Sequence, residues 1–156
     1  MVVTVTNSLM CYTISEGYYM GMVYTEITLK NAGDEAFVRT GHIKPEDVRT
    51  ATVTAVVDTG AMHLVITEEL CQKLGLATVS EKPVMVANGQ RIISKVTDAV
   101  EIHWKDRGIA LSAVVIPGAQ KVLMGALALE GMDLMVNPVT QEVVGVHGDE
   151  EEYYAL

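Results

Sequence analysis

The stretch TVTAVVDTGAMHLVI, residues 52–66, is the part of the sequence that decides the predicted fold. Its first six residues are β-branched apart from Ala55, and β-branched residues favour extended strands. This run stops at the triplet DTG, residues 58–60, and a second apolar run, Leu64 to Ile66, follows closely. The pattern predicts a strand, a tight turn and a second strand, with Asp58 held in the turn by buried backbone. The plainer alternative is an aspartate that only stabilises an ordinary turn.

The sequence before this stretch predicts one long strand and one irregular segment. Tyr18 to Leu29 is rich in aromatic and β-branched residues, and Val23, Thr25 and Ile27 fall on one alternating face of it. Residues 31–50 carry two glycines, a proline and mixed charge without a clean period. Such a composition predicts a loop or an irregular insertion between paired strands.

The sequence after this stretch predicts a short helix and a β-hairpin. Thr67 is placed to cap a helix from Glu68 to Leu74, which Gly75 would end. Within residues 83–93, Asn88-Gly89 separates two strand-forming runs, and this dipeptide is the strongest short signal for a hairpin.

The last third of the chain predicts more strands. Residues 96–104 and 109–116 predict a second hairpin, residues 126–130 a helical turn or two, and residues 132–136 and 142–146 two further strands. Many short strands with one or two short helices predict a mainly β fold, a small and mainly antiparallel barrel or sandwich. At 156 residues, the chain has the length of one domain.

Composition and charge argue against several classes of function. Hydrophobic residues make up 49% of the chain, enough for a real core. The net charge is -9 and no stretch clusters Lys and Arg, so the positive surface that nucleic acid requires is missing. Cys11 and Cys71 form neither a disulfide framework nor a zinc motif. No segment resembles a membrane span or a secretory signal, so we expect no membrane partner and a cytoplasmic location.

Three segments, in order along the chain, carry a resemblance to a known family. They are the tetrad Asp58-Thr59-Gly60-Ala61, the hairpin Val84 to Ile93 and the apolar-apolar-glycine segment Val122-Leu123-Met124-Gly125. In this combination the sequence resembles the retropepsins, the dimeric aspartic proteases of retroviruses and retrotransposons and their cellular and bacterial relatives. The resemblance covers roughly residues 18–146. It implies a small closed antiparallel β-barrel of the acid protease type with one or two short helices.

The domain boundaries follow from the extent of this resemblance. Residues 17–147 are expected to form the retropepsin-like domain. Residues 1–16 are either a leader or an extra strand, and these alternatives stay open. Residues 148–156 are strongly acidic and are expected to form a disordered tail.

The resemblance implies a catalytic role for the tetrad. In this family the aspartates of two subunits meet across a two-fold axis and hold the attacking water, so it implies a homodimer with one Asp58 from each chain. Thr59 would link the two catalytic loops through its hydroxyl, Gly60 would let the backbone approach the substrate, and Ala61 would keep the pocket small. Neither a metal nor another cofactor is implied.

The substrate implied by the resemblance is a peptide or a protein. The hairpin with Asn88-Gly89 at its tip would close over it as a flap, although a plain structural hairpin is the alternative. His63 has a plainer interpretation as a partly exposed residue at the rim of the cleft. The residues implied to contact substrate are Ala61, Met62, His63, Ala87, Asn88, Gly89 and Gly125.

The sequence departs from the retroviral members at one ion pair. Those members tend to place acidic residues after the tetrad and an arginine after the late glycine. Met62, His63 and Ala126 stand at these positions, so both sides of the pair are absent and no charge is left unpaired. Two other functions stay open: a catalytically silent module of the same fold that dimerises or binds peptide, and an unrelated small β-domain with a chance triplet.

Overall fold

The structure is a computed structural model that describes residues 3–6, 9–14, 18–19 and 21–148. The segments Val3–Thr6 (β1), Leu9–Ile14 (β2) and Tyr18–Tyr19 (β3) pair antiparallel in a small sheet of their own. Apart from Gly148, the predicted acidic tail lies outside the described residues.

The remaining strands and helices follow in chain order. The strands are β4 (Val23–Asn31), β5 (Thr50–Val57), β6 (Leu64–Ile66), β7 (Thr78–Met85), β8 (Arg91–Trp104), β9 (Arg107–Val115), β10 (Val122–Met124), β11 (Leu134–Asn137) and β12 (Glu142–Gly145). The helices are α1 (Ala32–Arg39), α2 (Glu68–Lys73) and α3 (Ala126–Gly131), with a single 3-10 turn at Pro45–Asp47.

Within the described residues, six strands form a closed barrel in the order β4, β5, β10, β6, β9 and β8, and pairing of β8 with β4 closes it. Strand β7 is added on the outside of β8. The prediction of a mainly β, closed barrel is therefore confirmed. Most neighbouring pairs are antiparallel, but β5 with β10 and β6 with β9 run parallel. The first parallel pair positions the site, because it brings the carboxyl ends of β5 and β10 together.

The core fills the barrel and is almost entirely aliphatic. Alternation along β4 is as predicted, since Ile27 and Leu29 are buried and the intervening side chains are more exposed. Leu64 and Ile66 of β6 are fully buried beside them. Each such aliphatic side chain contributes roughly 1.5–3 kcal/mol relative to an exposed one. The apolar residues that predicted the strands on both sides of the Asp58 turn therefore form part of the core.

The prediction of a loop across residues 31–50 is wrong, because this segment begins with helix α1. The Asn31 side chain caps α1 by accepting a hydrogen bond from Asp34 N at 3.1 Å. Asp34 is the only residue of α1 that is buried, and it binds the Arg49 guanidinium through both carboxylate oxygens, at 2.7 and 2.8 Å. Because α1 buries no apolar side chain, hydrophobic periodicity could not reveal it.

The two predicted hairpins share strand β8, which was predicted from sequence as two separate strands. Residues 90–93 and 96–104 were expected to be separate strands, but β8 runs unbroken from Arg91 to Trp104. Its pairing with β9 shifts register between Val96 and Ala99, so the irregularity is a bulge and not an end. The predicted helix after Thr67 is confirmed as α2, with the Thr67 hydroxyl accepting from Leu70 N at 3.1 Å. The last predicted strands are confirmed as the hairpin of β11 and β12.

Candidate active site

Asp58 lies where β5 ends, next to the end of β10. Met124 is paired with Val57, and Asp58 N donates to Met124 O at 3.1 Å, so the parallel pair carries the chain into the turn. The turn closes when Asp58 Oδ1 accepts from Gly60 N at 2.9 Å and Asp58 O accepts from Ala61 N at 3.1 Å. The side chain is half-buried, so the backbone of this turn holds a carboxylate that solvent still reaches.

The start of helix α3 clamps the residues that follow this turn. Ala126 N donates to Ala61 O at 2.8 Å, and Leu127 N donates to Met62 O at 3.1 Å. The first amides of a helix have no partner within the helix, and Gly125 at the N-cap offers no side chain to bind them. The loop that follows Asp58 therefore caps α3, and α3 in turn fixes the loop.

Gly125 is required by the closeness of this contact. A Cβ added there would lie 2.5 Å from His63 O, 2.6 Å from Ala61 O and 2.8 Å from the Met62 carbonyl carbon. All three are backbone atoms that a rotamer change cannot move, so any larger residue would push the loop away. The backbone bonds from Ala126 and Leu127 occur where retroviral members carry their ion pair, and they hold the loop without charge. Gly125 itself is buried against the loop. A contact between Gly125 and substrate stays a prediction.

The other residues of the tetrad and its neighbours face outward. Thr59, Gly60, Met62 and His63 are exposed, and Ala61 is half-buried. Among the described residues, neither Asp58 Oδ2 nor the Thr59 hydroxyl has a hydrogen-bond partner within the chain. These groups stay available to a molecule that approaches this end of the barrel.

The hairpin that is predicted to act as a flap is present, formed by β7 and β8. Val86 N donates to Gln90 O at 2.9 Å, and Gly89 N donates to Val86 O at 2.8 Å. Gly89 has a φ of 81° with open space around it, so backbone conformation, not crowding, demands glycine here. Ala87, Asn88 and Gly89 are all exposed at the tip. Closure of this hairpin over Asp58 stays a prediction.

Asp133 is held in a cluster of its own, with Arg107 and His147. Its Oδ1 lies 2.7 Å from His147 Nδ1, and its Oδ2 accepts from Arg107 Nη1 at 3.2 Å. Burial raises the pKa of the Asp133 carboxyl, but the hydrogen bonds and charge of His147, together with Arg107, outweigh it and hold the pKa below its ordinary value. The cluster is structural, since Arg107 also donates to Met132 O at 3.0 Å and thereby ties β9 to the end of α3.

Sequence reasoning missed Arg107, which is only 1% exposed. An arginine directly after a polar turn is typical of a solvated surface, and no local signal marks it as buried.

Cys71 is half-buried, and burial, the largest influence, raises the pKa of its thiol, as expected of a small apolar residue rather than a nucleophile. Within the described residues, no group of three or more His, Cys, Asp or Glu side chains could hold a metal, and no helix could span a membrane.

A closed β-barrel with an Asp-Thr-Gly turn clamped by an apolar-apolar-glycine segment defines the class of retropepsin-like aspartic proteases. Residues 47–131 match the family described as "gag-polyprotein putative aspartyl protease". This match covers more than half of the chain, so the protein belongs to that family. No curated protein matches the sequence. The matched residues include the tetrad, the hairpin of β7 and β8 and the Gly125 segment.

Proposed function

We propose that this protein is an aspartic endopeptidase that is active as a homodimer, with one Asp58 from each subunit. The observation that supports it most is the Asp58 carboxylate itself. The backbone of a turn holds it, and α3 clamps that turn, yet one oxygen has no partner among the described residues. A rigid carboxylate with a free oxygen is suited to hold and activate a water molecule.

The chemistry requires a second carboxylate. Two carboxylates a few ångströms apart cannot both ionise cheaply, so such a pair shares one proton, as is established for aspartic proteases as a class. The ionised member would take a proton from the water, whose oxygen attacks the carbonyl carbon of the peptide bond. The protonated member would give its proton to the substrate, and the bond breaks with the amine as leaving group.

One chain contributes a single carboxylate to this chemistry. The carboxylate of Asp133 binds Arg107 and His147 and serves another part of the molecule. The exposed Thr59 hydroxyl, which has no partner among the residues that the structure describes, is suited to bond across a two-fold axis. The hairpin tip at Ala87 to Gly89 would cover an extended peptide and exclude water. No metal or cofactor is needed for these steps.

The test is digestion of a peptide library across a range of pH by the wild-type protein and by Asp58→Asn. We expect wild-type cleavage that declines as pH rises far enough to ionise both carboxylates, and a loss of at least about a thousandfold in Asp58→Asn, since a neutral amide cannot act as base. Asp106→Asn is the matched control, because Asp106 is exposed in the turn between β8 and β9 and should leave cleavage unchanged.

Cleavage that survives in Asp58→Asn would remove Asp58 from the mechanism. A wild-type dimer that cleaves no peptide at any pH would instead support the alternative, a catalytically silent module that keeps the fold.

A further inference from the structure

A cavity of about 350 Å³ lies on the flank of the barrel between helix α2 and strand β5, and we call it the α2 groove. Its walls come from Val53 and Thr54 of β5, from Thr67 and helix α2, and from residues 120–122, which lead into β10. Thr54 lies four residues before Asp58, which is roughly 13 Å along an extended strand. The groove is therefore separate from the Asp58 turn.

Two lysine side chains, Lys73 of α2 and Lys121, line the α2 groove. Both residues are exposed. Among the residues that the structure describes, neither ammonium group has an ion-pair partner. Their charge is therefore not balanced by a carboxylate of the chain, and it favours an anionic ligand in the groove.

The ammonium group of Lys121 is held in position by an aromatic ring. Lys121 Nζ donates to the Tyr24 hydroxyl at 3.3 Å and lies 5.6 Å from the centre of the Tyr24 ring. An ammonium has three N–H donors, and the bond to Tyr24 uses one of them. Lys121 thus keeps donors for a ligand, and a side chain that is already positioned loses less conformational entropy on binding.

One acidic side chain, Glu69, also lines the α2 groove. It precedes Lys73 by four positions on α2, the spacing at which Glu and Lys pair on a helix, yet the described residues show no ion pair between them. Glu69 reduces the attraction for an anion without cancelling it, because two lysines line the groove with one glutamate. Removing this carboxylate should therefore strengthen the binding of an anion.

The walls of the α2 groove also contain aliphatic side chains. Val53 is half-buried, and Leu70 and Val122 are buried. A ligand that carries a carboxylate on a short carbon chain matches lysines beside an aliphatic wall. The glutamate side chain has both features, whereas an inorganic anion would leave the aliphatic wall without a contact.

We infer that the α2 groove binds an acidic peptide segment of a partner protein, with carboxylates of the peptide on Lys73 and Lys121. The inference does not rest on the proposed function, because no residue of the Asp58 turn lines the groove. Asp58→Asn should therefore bind the peptide as tightly as the wild type, even if it cleaves nothing.

The test is fluorescence anisotropy of a labelled pentaglutamate peptide titrated with the 156-residue chain at low salt. Lys73→Gln and Lys121→Gln should each raise the Kd roughly two- to fivefold, since each removes one exposed charge from the contact. Glu69→Gln should lower the Kd, because it removes a like charge. Added salt should weaken the binding, and a pentaglutamine peptide should not bind.

Lys44→Gln is the matched control. Lys44 is exposed and does not line the groove, so the same loss of charge should leave the Kd unchanged. No binding of pentaglutamate, or equal binding by the wild type, Lys73→Gln and Lys121→Gln, would overturn the inference. Binding that appears only when residues 149–152 are changed to Asn and Gln would assign the groove to the acidic end of the same chain and overturn the role of a partner protein.

Discussion

Gly125 is a residue on which the position of the Asp58 turn depends directly. Its place after Met124 is set by sequence, but the reason for glycine lies in three backbone atoms of the loop within 2.8 Å of where a Cβ would be. Gly125→Ala should therefore displace residues 61–63, and with them the Asp58 turn. We expect a loss of unfolding free energy of about 1–3 kcal/mol and a fall in cleavage rate larger than the unfolded fraction explains.

Urea unfolding and peptide cleavage of the same Gly125→Ala preparation would check this. Gly33→Ala is the matched control, because Gly33 lies in helix α1 and a Cβ added there would approach only a side-chain oxygen, Asn31 Oδ1, at 3.1 Å. Alanine is the better helix former, so this control should change stability little or raise it by up to about 1 kcal/mol. Full activity and stability in Gly125→Ala would show that the clamp is less rigid than the geometry indicates.

At the scale of elements, α1 is anchored by the pair of Asp34 and Arg49. The hydrogen bond from the Arg49 side chain, opposed by burial, lowers the pKa of the Asp34 carboxyl below its ordinary value of 3.8. A carboxyl whose pKa is lowered by folding stabilises the protein above that ordinary value, and the stabilisation is lost as pH falls through the lowered pKa. The anchor should therefore be fully effective at neutral pH and weaken in acid.

Arg49→Gln should lower the unfolding free energy at neutral pH by about 1–2 kcal/mol, a modest value because the guanidinium is partly exposed. The difference from wild type should shrink at a pH well below 3.8, where protonation of the Asp34 carboxyl weakens the pair. Denaturant unfolding at the two pH values measures it. Arg39→Gln is the control, since Arg39 is 62% exposed and its bond to Glu101 is 3.3 Å long. A difference that does not depend on pH would contradict the role of Asp34.

Elements with a strong local pattern were predicted well. Strands β5 and β6, helix α2 and the hairpin with Asn88-Gly89 each carry alternation, a cap or a turn dipeptide that acts within a few residues. Helix α1 and the unbroken β8 were not predicted. The first depends on Arg49, fifteen residues from its partner, and the second on pairing with β4, β7 and β9, so neither leaves a local pattern.

At the scale of the whole molecule, net charge opposes the proposed dimer. Each chain carries -9, so two copies carry twice that, -18. Added salt screens repulsion between separated charges, with a Debye length of about 10 Å at 0.1 M. The dimer should therefore tighten as salt concentration rises, and activity per chain should fall on dilution at low salt and recover when salt is added.

Cleavage rates over a dilution series at two salt concentrations measure this effect, with sedimentation velocity in parallel. Salt weakens the mutual repulsion of acidic surfaces but does not weaken the burial of apolar surface in an interface. Activity per chain that is independent of dilution and salt would contradict a dissociable dimer.

The sequence alone predicted the mainly β fold, the turn that presents Asp58 and, through the family resemblance, the closed barrel, because alternation, turn residues and short motifs act within a few positions of one another. Tertiary structure decided which backbone atoms press on Gly125, that α1 is anchored by Arg49 and that Arg107 is buried. These depend on contacts between segments far apart in the chain, and the parallel pairing of β5 with β10 and the closure of β4 on β8 create them.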